Sequence, residues 1–268
     1  MPPRNCVILG SGRSGTSMAA GLLAQAGYFM GGELWPANEG NPKGQFEDRE
    51  VNAINDSLIA SSVCATARRG LRKLLLGETP PLGEFQHWVA VLKPGAPIAC
   101  NPEMRRRIAA LTARQPFCFK DPRFSYTLGA WRACLGKALL LCVFRDPSVT
   151  AHSIVRECAA ADYMKGVAMD ASRALKVWEA MYRWILEVHR PQGGDWLFVH
   201  YDQLLDHSAY PRIEERLGVR LDRDFATAEL NRSRPTVAVS RRVGQIYRHL
   251  CGLAGYEARR AGNGVPNP

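Results

Sequence analysis

The opening segment of the chain constrains the fold most, because a short apolar run leads through a glycine-rich turn into a helical stretch. Residues 7–9 predict a buried strand, and residues 18–26 have the alanine and leucine content of a helix that ends near Gly27. The turn between them places glycines and hydroxyl side chains around one arginine: Gly10-Ser11-Gly12-Arg13-Ser14-Gly15-Thr16-Ser17. Converging backbone N–H groups and the positive end of the helix dipole would bind a phosphate or sulfate group there. A tight turn without a ligand is the alternative interpretation.

The turn departs from both of the common nucleotide-binding motifs. The triphosphate loop G-x-x-x-x-G-K-[ST] requires lysine where this chain has Thr16, and the cation of the turn is instead Arg13. The three glycines match the dinucleotide motif G-x-G-x-x-G, which also needs an acidic residue about 20 positions later, at the end of a second strand. Glu33 and Glu39 lie instead in a Gly/Pro-rich loop. An ATPase, a GTPase and a dinucleotide-dependent enzyme are therefore disfavoured.

Composition limits the class of protein and of ligand. The 268 residues, of which 46% are hydrophobic and 22% charged, suit one globular domain spanning 1–268. The formal net charge of +10, carried mostly by arginine, favours anionic ligands such as nucleotides, phosphates, sulfates and acidic glycans. Nucleic acid is not expected as a partner, because the chain has no basic stripe interleaved with aromatic residues and no zinc-finger spacing.

The cysteines and the apolar runs predict the compartment. None of the eight cysteines forms a C-x-x-C pair, so we expect no structural zinc site. Scattered cysteines in apolar runs are typical of a reduced, cytoplasmic protein. The first strand begins within ten residues of the start, so we expect no signal peptide. No run reaches the roughly 18 apolar residues of a membrane helix, so we expect no membrane span.

The remaining strands and helices follow in alternation. Apolar runs predict further strands at 117–119, 138–144 and 196–199. Helical patterns occupy 49–62, 101–114, 172–189, 213–217 and 245–253, and another helix begins at Ser148. The alternation predicts an α/β fold in a single domain, with a central parallel sheet and helices on both faces.

Three segments fall outside this alternation. Residues 31–44 form a polar loop rich in Gly, Pro and Asn, and a loop of this length in a compact domain is usually functional or disordered. Residues 63–95 carry only a weak helical pattern, and we interpret 63–116 as a helical insertion. Residues 262–268 are predicted to form a disordered C-terminal tail.

Two motifs at strand ends are similar to those of the sulfotransferases that use 3′-phosphoadenosine 5′-phosphosulfate (PAPS). The first, Gly12-Arg13-Ser14-Gly15-Thr16-Ser17, resembles the family's loop for the 5′-phosphosulfate. The second, Arg145-Asp146-Pro147 with Ser153 eight residues after the arginine, resembles its 3′-phosphate site. Supporting matches are Lys120-Asp121-Pro122-Arg123 and Tyr201-Asp202-Gln203-Leu204, and the resemblance spans about residues 5–217.

The resemblance implies a P-loop-like fold, PAPS as the sulfuryl donor, and a small-molecule or glycan acceptor that offers a hydroxyl or an amine. It predicts that eight residues bind the donor: Gly12, Arg13, Ser14, Gly15, Thr16, Ser17, Arg145 and Ser153. Many members of the family have lysine where this chain has Arg13. Nothing aligns from about 60 to 116, where acceptor specificity would lie. The family's C-terminal nucleotide loop has only a loose candidate here, Arg241-Arg242-Val243-Gly244.

Sulfuryl transfer needs positioned positive charge and requires no metal. By analogy with phosphoryl transfer, negative charge spreads over the equatorial oxygens and builds up on the leaving phosphate oxygen. Arg13 and the N–H groups of the turn would stabilise that charge at the leaving side. Thr16 and Ser17, at the start of the helix, would hold the 5′-phosphate. Arg13 is therefore a candidate catalytic residue.

The acceptor also needs a base, and we predict Glu47. Glu47 follows the long loop, which can bring its carboxylate over the nucleotide cleft, and some sulfotransferases that resemble this chain use a glutamate in this region. Two structural roles remain open: Glu47 or Asp48 caps the helix that begins near Arg49, or Glu47 pairs with a nearby arginine. The other candidate bases are carboxylates and histidines elsewhere in the chain: Glu33, Glu39, Asp121, His87 and His152.

Two other functions remain open at this point. A nucleotide-dependent small-molecule kinase would use a similar fold, although the lysine of its phosphate loop is absent. A non-catalytic protein that binds a nucleotide or an acidic glycan would hold the same anions without turnover.

Overall fold

Four short strands lie parallel at the centre of the computed structural model, which describes residues 3–37, 43–69, 82–225 and 237–257. They are β1 (Cys6–Leu9), β2 (Cys118–Lys120), β3 (Leu139–Phe144) and β4 (Asp195–His200). The strand order is β2-β1-β3-β4, and all three pairings are parallel. Every residue of β1, β2 and β3 is buried, as expected when helices cover both faces of a parallel sheet.

The strands alternate with helices along the described part of the chain. The helices are α1 (Thr16–Gln25), α2 (Arg49–Arg69), α3 (Pro102–Thr112), α4 (Phe124–Leu135), α5 (Pro147–Ala160), α6 (Ala171–Arg183), α7 (Tyr201–Leu205), α8 (Tyr210–Leu217) and α9 (Arg241–Ala254). A π-helical segment, Trp184–His189, continues α6. Short 3₁₀ turns lie at His87–Val89, Asp162–Met164 and Arg190–Gln192.

Alternate residues of β1 point to opposite faces of the sheet and enter two separate apolar cores. Val7 and Leu9 pack with residues of α2, α4, α6 and α9 on one face. Cys6 and Ile8 pack with residues of α1, α7 and α8 on the other. The predicted fold class is confirmed: a single α/β domain with a central parallel sheet and helices on both faces.

The order of the strands determines where a ligand can bind. From β1 the chain continues to β2 on one side of β1, and from β2 it continues to β3 on the other side. In open α/β sheets, ligands bind at the carboxyl ends of the strands where the strand order reverses in this way. The carboxyl end of β1, where the glycine-rich turn begins, lies at that point.

The predicted insertion is less helical than expected. Helix α2 extends to Arg69, beyond the predicted end at 62, whereas the described residues 82–101 contain one 3₁₀ turn and otherwise no helix. Trp88 and Leu92 in this stretch are buried by packing against residues of α5 and α6, so tertiary contacts stabilise them without helical spacing. Residues 70–81 and the predicted tail at 262–268 lie outside the described residues.

Candidate active site

The four strands all deliver residues to one cavity, whose volume is about 390 Å³. Gly12 follows β1, Lys120 ends β2, Arg145 follows β3 and Tyr201 follows β4, and all four line the cavity. The loop before α2 and one face of α5 supply further walls. The cavity therefore lies at the carboxyl edge of the sheet, where the topology favours a ligand.

Seven of the eight residues predicted to contact the donor line the cavity. They are Gly12, Arg13, Gly15, Thr16, Ser17, Arg145 and Ser153. Glu47, the predicted base, lines it as well. Ser14 is the exception, because its side chain is fully buried and does not line the cavity. Its backbone N–H donates to the carbonyl of Ser11 at 3.3 Å, so Ser14 shapes the turn.

Buried hydrogen bonds hold the start of the turn against the sheet and two helices. The N–H of Gly10 donates to Ser125 Oγ at 3.3 Å, and the N–H of Ser11 donates to the Tyr182 hydroxyl at 3.2 Å. That hydroxyl donates in turn to the carbonyl of Val143, in β3, at 2.8 Å. Because these groups are shielded from water, each bond that is lost would leave a polar atom unsatisfied. The turn is thus fixed before any ligand binds.

Two aromatic rings pack directly against glycines of the turn. A Cβ atom at Gly12 would lie 2.7 Å from the ring of Trp88. Gly15 has a φ of +93°, and a Cβ atom there would lie 2.3 Å from the ring of Tyr201. A side chain at either position would displace the ring, and at Gly15 it would also strain the backbone. Trp88 and Tyr201 therefore form the cavity wall immediately beside the turn.

Arg13 reaches from the turn to α5. Its Nε donates to Ser153 Oγ at 3.2 Å, and its Nη1 lies 3.3 Å from a carboxylate oxygen of Glu157. The guanidinium thus joins the two elements that the sequence predicted to hold separate phosphates. Glu157 was not singled out by the sequence patterns.

Arg145 is held over the ring of Tyr201, with its guanidinium carbon 4.3 Å from the ring centre. Burial lowers the pKa of Arg145 from its ordinary value, although an arginine with such a shift remains charged at neutral pH. The adjacent Asp146 caps α5 by accepting from the N–H groups of Ser148 and Val149, at 2.8 and 3.0 Å. The Arg-Asp-Pro motif therefore ends β3, starts α5 and presents a desolvated cation to the cavity.

Glu47 forms an ion pair with Lys120. The distance from Lys120 Nζ to Glu47 Oε1 is 2.5 Å, and the same Nζ lies 3.1 Å from Ser17 Oγ. The Lys120 side chain is 2% exposed and the Glu47 side chain 14%. Lys120 is a further candidate site residue, and the available signal in the sequence was its position at the end of a buried apolar strand.

The structure separates the two structural roles left open for Glu47. Asp48 caps α2, since its Oδ1 accepts from the N–H of Val51 at 3.0 Å, and its Oδ2 accepts from the N–H of Glu33 at 3.0 Å. The ion-pair partner of Glu47 is a lysine, whereas an arginine was expected. Glu33 is itself paired with Arg49 on the surface.

The other candidate bases are absent from the described lining of the cavity. Asp121 is fully buried and accepts from Asn52 and Asn55 at 2.8 and 3.0 Å. Burial raises the pKa of Asp121 above its ordinary value, while the charge of Arg123 opposes the shift. His87 and His152 are absent from the described lining, and Glu39 lies outside the described residues.

Asp121 and His87 belong to a buried charged network under the cavity. Arg123 bonds to Asp121 at 3.1 Å and to Asp56 at 3.2 Å, and His87 Nδ1 lies 2.9 Å from Asp56. Burial alone would raise the pKa of Asp56, but the hydrogen bond to His87 and the charge of Arg123 outweigh it and lower the pKa. Arg123 also donates to the carbonyl of Phe85 at 2.7 Å. The network fixes the residues around Phe85 against α2 and the end of β2.

The loose candidate for a C-terminal nucleotide loop was wrong. Arg241 to Gly244 form the first turn of α9, which Ser240 caps by accepting from the N–H of Val243 at 3.2 Å. Arg242 pairs with Glu179 at 3.0 Å, and none of these residues is part of the described lining of the cavity. A serine N-cap before an apolar helical pattern overrides the resemblance to a loop.

Comparison with known proteins identifies the family. A family model described as "Sulfotransferase family" matches residues 6–223. The chain belongs to the sulfotransferase family. The solved structure of the sulfotransferase domain from the Synechococcus PCC 7002 olefin synthase matches with a TM-score of 0.50, at 16% sequence identity and over 96% of each chain. At that identity the match supports the fold alone, and a search of curated proteins gave no match.

Family membership supports sulfuryl transfer as the general chemistry of this sulfotransferase. Within the described ranges, no helix is both long enough and apolar enough to cross a membrane. The same ranges hold no group of three or more His, Cys, Asp or Glu side chains arranged to bind a metal ion. The predicted residues of the turn other than Ser14, together with Arg145, Ser153 and Glu47, line one cavity and stay candidates.

We predict that Asp48→Ala lowers the free energy of unfolding by about 1–2 kcal/mol, because α2 loses its N-cap. The measurement is urea denaturation followed by circular dichroism. Asp162→Ala, which removes an exposed carboxylate from a surface ion pair with Lys165, is the matched control and should change the value by less than about 0.5 kcal/mol. An Asp48→Ala variant as stable as the parent would contradict the capping assignment.

Proposed function

We propose that this sulfotransferase takes a sulfuryl group from PAPS and transfers it to a hydroxyl or amine of a small-molecule or glycan acceptor. The observation that carries the proposal is that one cavity is lined by the turn after β1 and also by Arg145 and Ser153 beyond β3. A donor with a 5′-phosphosulfate and a separate 3′-phosphate needs two anion sites. These two elements supply them within one cavity.

The residues present fit such a donor. The turn offers backbone N–H groups at the N-terminus of α1, together with the hydroxyls of Thr16 and Ser17, to the 5′-phosphosulfate. Arg145 and Ser153 offer a guanidinium and a hydroxyl to the 3′-phosphate. A partly desolvated arginine makes charge-assisted hydrogen bonds, which are about twice as strong as neutral ones.

When bound, PAPS supplies a sulfuryl group whose sulfur bonds to the acceptor oxygen or nitrogen as its bond to the 5′-phosphate oxygen breaks. Arg13 and Lys120 provide positive charge near the leaving oxygen and the equatorial sulfuryl oxygens. Glu47 takes the proton that the acceptor loses. Because Lys120 bonds to both Glu47 and Ser17, it connects the base to the phosphate-binding turn. We expect positioned charge to suffice without a metal.

The rest of the cavity suits an acceptor with an apolar or ring-shaped body. Trp35, Phe85, Trp88 and Tyr163 line it, and the rings of Trp35 and Phe85 meet edge to face with centres 5.6 Å apart. Aromatic side chains pack on apolar surfaces and on the faces of rings. This lining supports a small molecule or a sugar unit as the acceptor.

We also propose a cytoplasmic location. Cys6, Cys118 and Cys142 are buried free thiols, and Cys100, Cys134, Cys158 and Cys251 are free as well. Free thiols are typical of a reducing compartment. Burial raises the pKa of the Cys142 thiol, which makes it unreactive as a nucleophile.

We predict that Arg145→Ala removes most of the preference for adenosine 3′,5′-bisphosphate over adenosine 5′-monophosphate. The two nucleotides differ only in the 3′-phosphate, and a hydrogen bond to a charged group contributes about 1.5–3 kcal/mol, or roughly 10- to 100-fold in affinity. Calorimetric titration of both nucleotides measures the ratio. Arg242→Ala, at an arginine outside the described lining of the cavity, should leave the ratio unchanged. An unchanged ratio in Arg145→Ala would show that the 3′-phosphate binds elsewhere.

We predict that Glu47→Gln lowers turnover by roughly 10²-fold or more, because an amide cannot accept the acceptor's proton. The amide oxygen can still accept from Lys120, so nucleotide binding should remain near that of the parent. Until an acceptor is found, sulfate release from PAPS to water serves as the assay.

Glu33→Gln is the matched control for Glu47→Gln. Glu33 is another candidate base in the segment before α2, and it pairs with Arg49 on the surface. It should keep the parent rate. A Glu47→Gln variant that transfers sulfate at the parent rate would exclude Glu47 as the base.

A further inference from the structure

Two carboxylates line the cavity among the described residues, and different cations hold them. Glu47 bonds to Lys120, which is almost fully buried and also bonds to Ser17, so this pair is part of the fixed structure. Glu157, in the last turns of α5, bonds to Arg13. The second pair is less buried, because the Arg13 side chain is 18% exposed whereas the Lys120 side chain is 2% exposed.

Helix geometry brings Glu157 to Arg13 beside the proposed 3′-phosphate site. Glu157 follows Ser153 by four residues, so the two side chains lie on one face of α5. Arg13 contacts both, through Nε to Ser153 at 3.2 Å and through Nη1 to Glu157 at 3.3 Å. The side chains of Arg13 and Glu157 are 18% and 10% exposed, so water screens their attraction only in part.

Glu157 and a neighbouring tyrosine both line the cavity. Tyr163 lies in the 3₁₀ turn after α5 and lines the cavity. Burial raises the pKa of Tyr163, and the negative charges of Glu157 and Glu47 raise it further. The positive charges of Arg123 and Arg13 oppose the shift. The charges of both carboxylates and of Arg13 therefore act on one hydroxyl in the region where the acceptor would sit.

Elementary electrostatics puts Glu157 in competition with the donor. A carboxylate at 3.3 Å compensates part of the charge of Arg13, and the same charge is required by an anionic phosphosulfate in the turn. Arg13 cannot give its full charge to both anions. We therefore expect donor binding to weaken the contact between Arg13 and Glu157.

We propose that Glu157 is a positioning residue that competes with the donor's phosphosulfate for Arg13 and thereby restrains the reaction of the donor with water. The inference rests on the proposed function. Glu157 weakens donor binding, and it holds part of the charge of Arg13 away from the leaving oxygen. A restraint of this kind limits loss of the sulfuryl group while no acceptor is in place.

The restrained side reaction is hydrolysis. The oxygen of water bonds to sulfur as the bond between sulfur and the 5′-phosphate oxygen breaks, which gives sulfate and adenosine 3′,5′-bisphosphate. The electrons of the broken bond stay on the phosphate oxygen, and the protons of the water pass to the solvent. Arg13 stabilises the leaving oxygen here as it does in transfer to an acceptor, so releasing Arg13 from Glu157 should accelerate hydrolysis.

The test uses Glu157→Gln, which keeps the shape of the side chain and removes its charge. We expect adenosine 3′,5′-bisphosphate to bind about 3- to 10-fold more tightly by calorimetry, and sulfate release from PAPS without acceptor to rise by a similar factor. Glu157→Asp keeps the charge and should stay closer to the parent in both measurements. Glu187→Gln, at a carboxylate that pairs with Arg183 and is absent from the described lining, should change neither.

A double-variant cycle separates competition for Arg13 from direct repulsion of the donor. If Glu157 acts through Arg13, the gain in nucleotide affinity caused by Glu157→Gln disappears when Arg13 is already alanine. If the gain persists in the Arg13→Ala background, Glu157 acts by repelling the donor and the proposal is wrong. Should thermal melting show that Glu157→Gln is misfolded, Glu157→Met provides a second uncharged variant for the same measurements.

The outcomes distinguish this inference from the proposed function. If the parent binds adenosine 3′,5′-bisphosphate, but neither uncharged variant binds it more tightly or hydrolyses PAPS faster, the role of Glu157 is refuted and the donor assignment stands. If the parent does not bind adenosine 3′,5′-bisphosphate at all, the proposed function fails and the inference fails with it.

Discussion

The site depends on one constraint, the sharp turn that follows β1 at the centre of the sheet. The hydroxyl of Tyr182 accepts from the N–H of Ser11 and donates to the carbonyl of Val143, which ties the turn to α6 and β3 at once. Burial raises the pKa of Tyr182, so this hydroxyl stays neutral and keeps its proton for the second bond. A turn fixed in this way presents its N–H groups without reorganisation, which is the condition under which such groups stabilise developing charge best.

Buried ion pairs hold the other parts of the cavity against that turn. Lys120 joins the end of β2 to Glu47, and Arg123 joins the same strand end to Asp56 in α2 and to the backbone of Phe85. Buried pairs of this kind add little net stability, because desolvation offsets much of the attraction, but removing one partner is costly. Their consequence here is geometric: the candidate base and the aromatic wall keep fixed positions relative to the glycine-rich turn.

The elements that local patterns determine could be predicted from the sequence, and contacts between distant segments could not. The strands β1 and β3 and the glycine turn were predicted correctly because apolar runs and glycines act over a few residues. The ion pair of Glu47 joins residues 73 positions apart, and no local signal indicates that its partner is Lys120. Residues 63–116 were expected to form a helical insertion, yet burial of Trp88 and Leu92 against α5 and α6 stabilises a largely irregular path over 82–101.

The central claim is that the cavity binds a 3′-phosphorylated adenine nucleotide, and calorimetric titration of the parent protein tests it most directly. Adenosine 3′,5′-bisphosphate, ATP and NAD would each be titrated at the same ionic strength, since phosphate contacts depend on salt. The structure leads us to expect one site per chain for adenosine 3′,5′-bisphosphate, with at least about tenfold higher affinity than for the other two. Tighter binding of ATP or NAD, or no binding of adenosine 3′,5′-bisphosphate, would contradict the account.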